Sequence, residues 1–355
     1  MPFEDVPLID NHAHPFLLAD RAAAEPFARF FTEASFPEPH TLFYRQALRE
    51  LAAMFGCPAD EPSVLAAREV AGYARRLVND AHLEAVLLDD GYPVENACSI
   101  SATAALGGFR AHHVLRIERA LEELIPRCES LAELEQRFID RLESAREEIV
   151  AIKSIIAYRS GLMIDPPDPR TATLEFDTLR VQWTGRLTAK PLLEYCFYAA
   201  IDWAARHRIP VQLHTGFGDR DIDLRLANPL HLRPLLERGT LGRSPLVLLH
   251  ASYPYVREAG YLASVYPDVY VDLSEVSPLL VGPALSRVLE DLLGQAPVTR
   301  LLYGSDAWGI PEWLWLAARA TRRALGDVLS WLPDAEASWV ALRILHANAA
   351  ELYHL

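Results

Sequence analysis

Leu8-Ile9-Asp10-Asn11-His12-Ala13-His14 is a short apolar run that closes on two histidines two positions apart. Strand side chains alternate between faces, so His12 and His14 fall on the same side. Two imidazoles on one side of a strand end can hold one ion together. The arrangement recurs along the chain. Val211-Gln212-Leu213-His214 leads into Thr215-Gly216, and Leu246-Val247-Leu248-Leu249-His250 leads into Ala251-Ser252. Leu301-Leu302-Tyr303-Gly304-Ser305-Asp306 closes on a carboxylate, and Lys153 follows Ile149-Val150-Ala151-Ile152.

These runs belong to a set of eight with strand character: 6–9, 83–88, 113–117, 149–152, 209–213, 246–249, 269–273 and 298–303. Amphipathic helical patterns separate them, among them 121–124 with 131–149, then 192–208, 230–238, 256–265 and 285–293. Strands alternating with helices imply parallel βαβ units, and eight units predict an α/β fold, a (β/α)8 TIM barrel. Residues 15–82 hold three helical patterns, 21–31, 41–55 and 61–80, and read as a helical insertion after the first strand, over the barrel mouth. The whole of 1–355 then forms a single domain. Asp165-Pro166-Pro167-Asp168-Pro169 predicts a long loop over 160–188, because proline lacks the amide a helix interior needs.

Composition bounds the function. The 355 residues include 34 Lys and Arg against 48 Asp and Glu, a net charge of −14, which argues against nucleic acid and anionic membrane as partners. Half the residues are hydrophobic, enough for a large core, yet no run approaches the roughly 20 apolar residues of a membrane span. The opening Met-Pro-Phe-Glu-Asp lacks the features of a signal peptide. Cys57, Cys98, Cys128 and Cys196 are far apart with no CxxC pair, so free thiols and a cytoplasmic setting are expected. A small-molecule substrate is the expected partner, with a homo-oligomer left open.

Catalytic residues of a barrel gather where the strands end, so four histidines and an aspartate at strand ends predict a metal centre. Nitrogen and oxygen donors without thiolates suit zinc, with iron or manganese as alternatives. Asp219, Asp221 and Asp223 alternate like a calcium loop, but Leu224 and Leu230 stand where its glycine and final acid belong, so that reading fails. Gly216-Phe217-Gly218 is too short for a phosphate loop. His82, His112, His113, His231, His346 and His354 read as structural, and Glu275 as a wall residue at most.

The order His-x-His, Lys, His, His, Asp resembles the amidohydrolase superfamily. The phrases Ile9–His14, Lys153–Leu162, Gln212–Asp219, Leu249–Tyr255 and Asn348–Tyr353 look like one branch of it. That branch is fused to a glutamine-synthetase-like domain in fungal FluG-type and plant nodulin-type proteins. The chain stops where that domain would begin, which loosens the expected link to glutamine chemistry and leaves a separate synthetase-like partner open. The resemblance implies His12, His14 and Asp306 as ligands of one metal. It implies Lys153, carboxylated, as a bridge to a second metal on His214 and His250. In the one-metal alternative His12, His14, His214 and Asp306 bind, and His250 serves as an acid or polarising group. A free lysine ammonium 4 Å from a dication would cost roughly 8 kcal/mol at an effective dielectric near 20, so Lys153 must be carboxylated, neutral or turned toward an acid. The implied activity is hydrolysis of a small amide, γ-glutamyl-amide-like, with Asp306 as the base and Arg159 and Tyr158 on the substrate. Non-oxidative decarboxylation and a non-catalytic metal-binding regulator are the alternatives.

Overall fold

Pro7 ends the irregular N-terminal stretch, and the first strand, β1, runs Leu8–Ala13 through three polar residues that apolar patterning alone would have excluded. They are tolerated because each finds partners. Asp10 Oδ1 accepts from Ser305 N at 2.9 Å and His12 N at 3.2 Å, and Asn11 Nδ2 donates to Asp272 Oδ2 at 2.8 Å. The computed structural model describes residues 2–93 and 95–355.

The other seven strands follow the remaining apolar runs: β2 Leu83–Asp89, β3 Arg110–Arg116, β4 Ile149–Ser154, β5 Val211–Leu213, β6 Leu246–Leu248, β7 Val269–Asp272 and β8 Leu301–Leu302. They are parallel, in the order β1 to β8, with helices between them, and form a nearly closed (β/α)8 barrel. β8 is shorter than expected because Val298–Arg300 winds into a 3-10 turn after Pro297. Backbone bonds from Asn11 N to Tyr303 O (3.0 Å) and from Asp306 N to His12 O (2.8 Å) join the last strand region to the first.

The chain resolves into two compact units. One comprises the chain up to His112, Gly218–Arg220 and Asp272–Leu355; the other comprises His113–Phe217 and Asp221–Val271. The first holds the helical insertion, whose three expected patterns become five pieces. Pro26 divides a helix over Ala19–Ala24 from a 3-10 helix over Phe27–Phe31. Thr41 caps the helix Leu42–Phe55 by accepting from Tyr44 N at 3.1 Å. Glu61–Ala67 and Tyr73–Asp80 are separate because Gly72 adopts φ 76°, a left-handed conformation that breaks the helix. The insertion packs on the helix Pro311–Val328 through buried Phe43 against Trp313 and through a buried polar group. There Glu312, fully enclosed, accepts from Arg68 Nε at 2.8 Å and Tyr73 Oη at 3.0 Å.

In the second unit the long helix Lys190–His207 buries Leu193, Phe197 and Trp203. Trp203 Nε1 donates to Glu143 Oε2 at 3.0 Å on the helix Leu131–Ala145. The expected loop over 160–188 is corrected: it contains a helix, Pro169–Val181. Asp168 caps it by accepting from Arg170 N at 3.1 Å, and Pro169 takes the first helical position, where its missing amide costs nothing. All four cysteines are free, and among the described residues no helix is long and apolar enough to cross a membrane.

Removing one partner of a buried ion pair strands the other. Glu312→Ala should therefore lower stability by about 3 kcal/mol in denaturant titration and raise hydrogen exchange in Glu61–Asp80 first.

Candidate metal centre

The first group of site residues lies in the first unit. His12 near the end of β1 and His14 just beyond it aim Nε2 at the same oxygen, Asp306 Oδ1, at 3.1 and 3.4 Å. His14 is fixed by its other nitrogen, since Nδ1 lies 2.9 Å from the carbonyl of Asp89 and donates to it, which leaves Nε2 with its lone pair toward Asp306. Both histidines are buried. Tetrahedral ligands about 2.1 Å from one ion stand roughly 3.4 Å apart, so these three donors fit a divalent metal. Asp89 adds a carboxylate: His12, His14 and Asp89 each offer a ligand atom within 4.8 Å of the others. The reading of the sequence missed Asp89, although it closes a strand as Asp306 does.

Behind these residues is a scaffold of buried polar bonds. Tyr353 Oη donates to Asn11 Oδ1 at 2.6 Å, and Ser274 Oγ to Asp272 Oδ1 at 2.8 Å. Asp10 holds the amide of Ser305, next to Asp306, and that of His12, so one carboxylate registers two ligand-bearing segments. Its other oxygen, Oδ2, has no partner among the described residues. Burial, opposed by these amide bonds and aided by the nearby Asp272 charge, pushes the Asp10 carboxyl up to about 7.

Three further residues that the sequence did not single out surround this group: Glu33, Tyr92 and Trp308. The Tyr92 ring meets His14 edge-on at 5.5 Å and Trp308 at 5.8 Å. Burial first, then the charges of Asp306 and Asp219, pushes the Glu33 carboxyl up to about 7, against the lowering effect of Arg29. Glu33 lies in irregular chain after the Phe27–Phe31 turn, where no periodicity marks it.

The second group lies in the second unit. Lys153 is buried on β4, in register with Arg116 on β3 and Gln212 on β5. His214 follows β5, bound through its amide to the Ser154 carbonyl at 3.1 Å. Its Nε2 donates to Phe217 O at 2.9 Å, leaving Nδ1 as acceptor for His250 Nε2, also at 2.9 Å. Two nitrogens at that separation can share a proton or flank one cation. Tyr158 stacks on His214 at 4.4 Å between ring centres, and Arg159 pairs with Glu122 at 3.2 Å.

His250, Ala251 and Ser252 all take positive φ, at 63°, 50° and 51°, a run that L residues rarely sustain. The loop after β5 holds them there. Thr215 Oγ1 bonds Leu249 O and Ser252 Oγ, each at 2.7 Å, and Gly216 lies so close that a Cβ on it would meet Ser252 C and Tyr253 O at 2.4 Å.

The fold and donor set are those of metal-dependent barrel hydrolases, and the amidohydrolase family model matches residues 160–355. The chain belongs to that amidohydrolase family. It is 32% identical to Protein fluG of Emericella nidulans across 98% of its own length, and it spans 46% of that relative. A solved candidate metal-dependent hydrolase from Lactobacillus casei is 33% identical, covers 99% of this chain and 96% of its own, and superposes with a TM-score of 0.90. Uronate isomerase of Thermotoga maritima shares the fold, with a TM-score of 0.66 at 14% identity over 99% of this chain and 95% of its own.

Two outcomes follow. Gly216→Ala should cost about 3 kcal/mol of stability, because it adds backbone overlap to a left-handed position. Asp10 has a carboxyl raised on folding, so its stabilising contribution is complete below the unfolded value near 4 and is lost as pH rises through about 7. Metal-stripped protein should thus lose stability between about pH 4 and 7 relative to Asp10→Asn, measured by urea titration at each pH. Parallel profiles would contradict the assignment.

Proposed function

We propose that this protein is a metal-dependent hydrolase that cleaves the C–N bond of a small amide, γ-glutamyl-amide-like. The observation that carries this reading is the convergence of His12 Nε2 and His14 Nε2 on Asp306 Oδ1. A divalent metal, zinc first among candidates, would supply carbonyl polarisation and an acidified water there. His12, His14 and Asp306 form one ligand group. Lys153 as its carbamate, His214 and His250 form the other.

Asp306 takes the water proton and returns it to the leaving amine. It suits both roles because its Oδ1 already lies against two imidazoles while its side chain keeps 19% exposure to solvent. His250 either ligates or donates to the substrate carbonyl, and His214 orients it. Arg159 offers a guanidinium to a substrate carboxylate and is itself steadied by Glu122, while Tyr158 flanks His214. The free thiols suit a reducing compartment, in keeping with a cytoplasmic setting.

Metal analysis by mass spectrometry tests the reading. His12→Ala, His14→Ala and Asp306→Asn should each lose at least about tenfold in metal occupancy with the far-UV spectrum intact. Lys153→Ala should halve the metal content, and short carboxylic acids should partly restore amide hydrolysis. Full occupancy in His12→Ala overturns the ligand set. A Lys153→Ala variant with undiminished activity overturns the bridge, and release of carbon dioxide instead of amine would point to decarboxylation.

A further inference from the structure

The insertion delivers a charged residue to the metal centre, and the chemistry around it specifies a ligand. Phe27, Phe30 and Phe31 are buried and anchor the turn that precedes Glu33. Phe30 lies 5.0 Å from Trp308, and Gly309, at φ 72°, lets it approach, since a Cβ there would stand 2.9 Å from the Phe30 ring. The segment is therefore held against the stretch that carries Asp306.

Three carboxylates meet in this part of the first unit, Glu33, Asp219 and Asp306, and each acts on the charge state of the others or of Tyr92. One cation, Arg29, is nearby. Its guanidinium is engaged over the Trp308 ring at 5.4 Å and donates to Thr32 O at 3.2 Å. Among the described residues the Glu33 carboxylate accepts no hydrogen bond and closes no salt bridge. A metal on His12, His14 and Asp306 would take up the charge of Asp306. Glu33 and Asp219 would still outnumber Arg29.

Two aromatic faces complete the surround. Tyr92 is 40% exposed although it packs on His14 and Trp308, so its ring borders open space beside the ligands. Rings beside carboxylates are what an ammonium group requires, with charge-assisted hydrogen bonds on one side and cation–π attraction on the other. The elevated Glu33 carboxyl agrees, as a carboxylate crowded by like charge lacks its counter-cation.

We propose that Glu33 and Asp219, flanked by Tyr92 and Trp308, form a subsite for a primary ammonium group, so that the substrate is an amide carrying a free amine close to the scissile bond. This deepens the hydrolase reading and rests on it for the word amide; the ammonium subsite stands on its own residues. Arg29, beside the two acids, excludes a second cation and leaves room for one.

Two measurements separate the subsite from the hydrolase reading. In the first, metal-loaded protein at 150 mM salt is titrated with n-pentylammonium or with 1-pentanol by ligand-observed NMR, which needs no turnover. The ammonium should bind at least tenfold tighter. Glu33→Gln and Asp219→Asn, two variants in different segments, should each remove most of that preference, whereas Glu336→Gln on an exposed helix should keep it. Equal binding of the two probes overturns the subsite, as does a preference that survives both site variants or falls equally in Glu336→Gln.

In the second, γ-glutamyl-4-nitroanilide is compared with its N-acetyl derivative. The ratio of their kcat/KM values should favour the free amine at least tenfold and collapse toward one in Glu33→Gln, chiefly through KM. Hydrolysis of both at equal rates leaves the hydrolase and sinks the subsite. Preferential ammonium binding without hydrolysis of either leaves the subsite and sinks the hydrolase.

Discussion

One backbone bond, 2.8 Å from Asp306 N to the His12 carbonyl, sets the terms for the metal centre. It fastens the segment after the last strand to the first strand at the level of the ligands. The two Nε2–Oδ1 approaches to Asp306 then follow from chain geometry. Asp10 repeats the constraint from the side chain, since one of its oxygens serves both the His12 amide and the Ser305 amide. The protein accepts a buried, partly unsatisfied carboxylate at Asp10 in return for that registration. Replacing it with an apolar residue would leave two buried amides unpaired, a cost of about 1–3 kcal/mol each.

What could be read from the sequence was whatever local pattern dictates. Eight strands and the strand-end positions of His12, His14, His214, His250 and Asp306 were legible because parallel strands buried on both faces must be apolar, and a polar residue at their end is conspicuous. Boundaries were less legible, because they depend on partners remote in the chain. β1 continues through Asp10, Asn11 and His12 only because Ser305, Asp272 and Tyr353 satisfy them. The helix Pro169–Val181 was hidden because the same Asp-Pro pair that stops a helix also starts one. Asp89 was visible by the strand-end rule and was overlooked. Glu33 was not visible at all, as its place beside Asp306 comes from three buried phenylalanines and a glycine rather than from any spacing.

The insertion and the barrel strands divide the labour accordingly. Donors that must be placed to a few tenths of an ångström, His12, His14 and Asp306, stand on or directly after strands whose registers are bonded on both sides. Residues that read the shape and charge of a ligand, Glu33 and Tyr92, come from connecting segments. A barrel family can vary the latter without disturbing the former. The shared fold with uronate isomerase at 14% identity fits that division, since the framework persists where most side chains differ.

The brace between Thr215-Gly216 and the left-handed turn His250–Ser252 bears on how such barrels can be recombined. Neither segment keeps its shape without the other, because the turn has no glycine to relax it and Gly216 has no purpose without the turn. The two loops are therefore one exchangeable cassette. A chimera that takes the loop after β5 from one relative and the loop after β6 from another would bring together surfaces never fitted to each other. Moving both as a pair would carry His214 and His250 across with their mutual geometry intact.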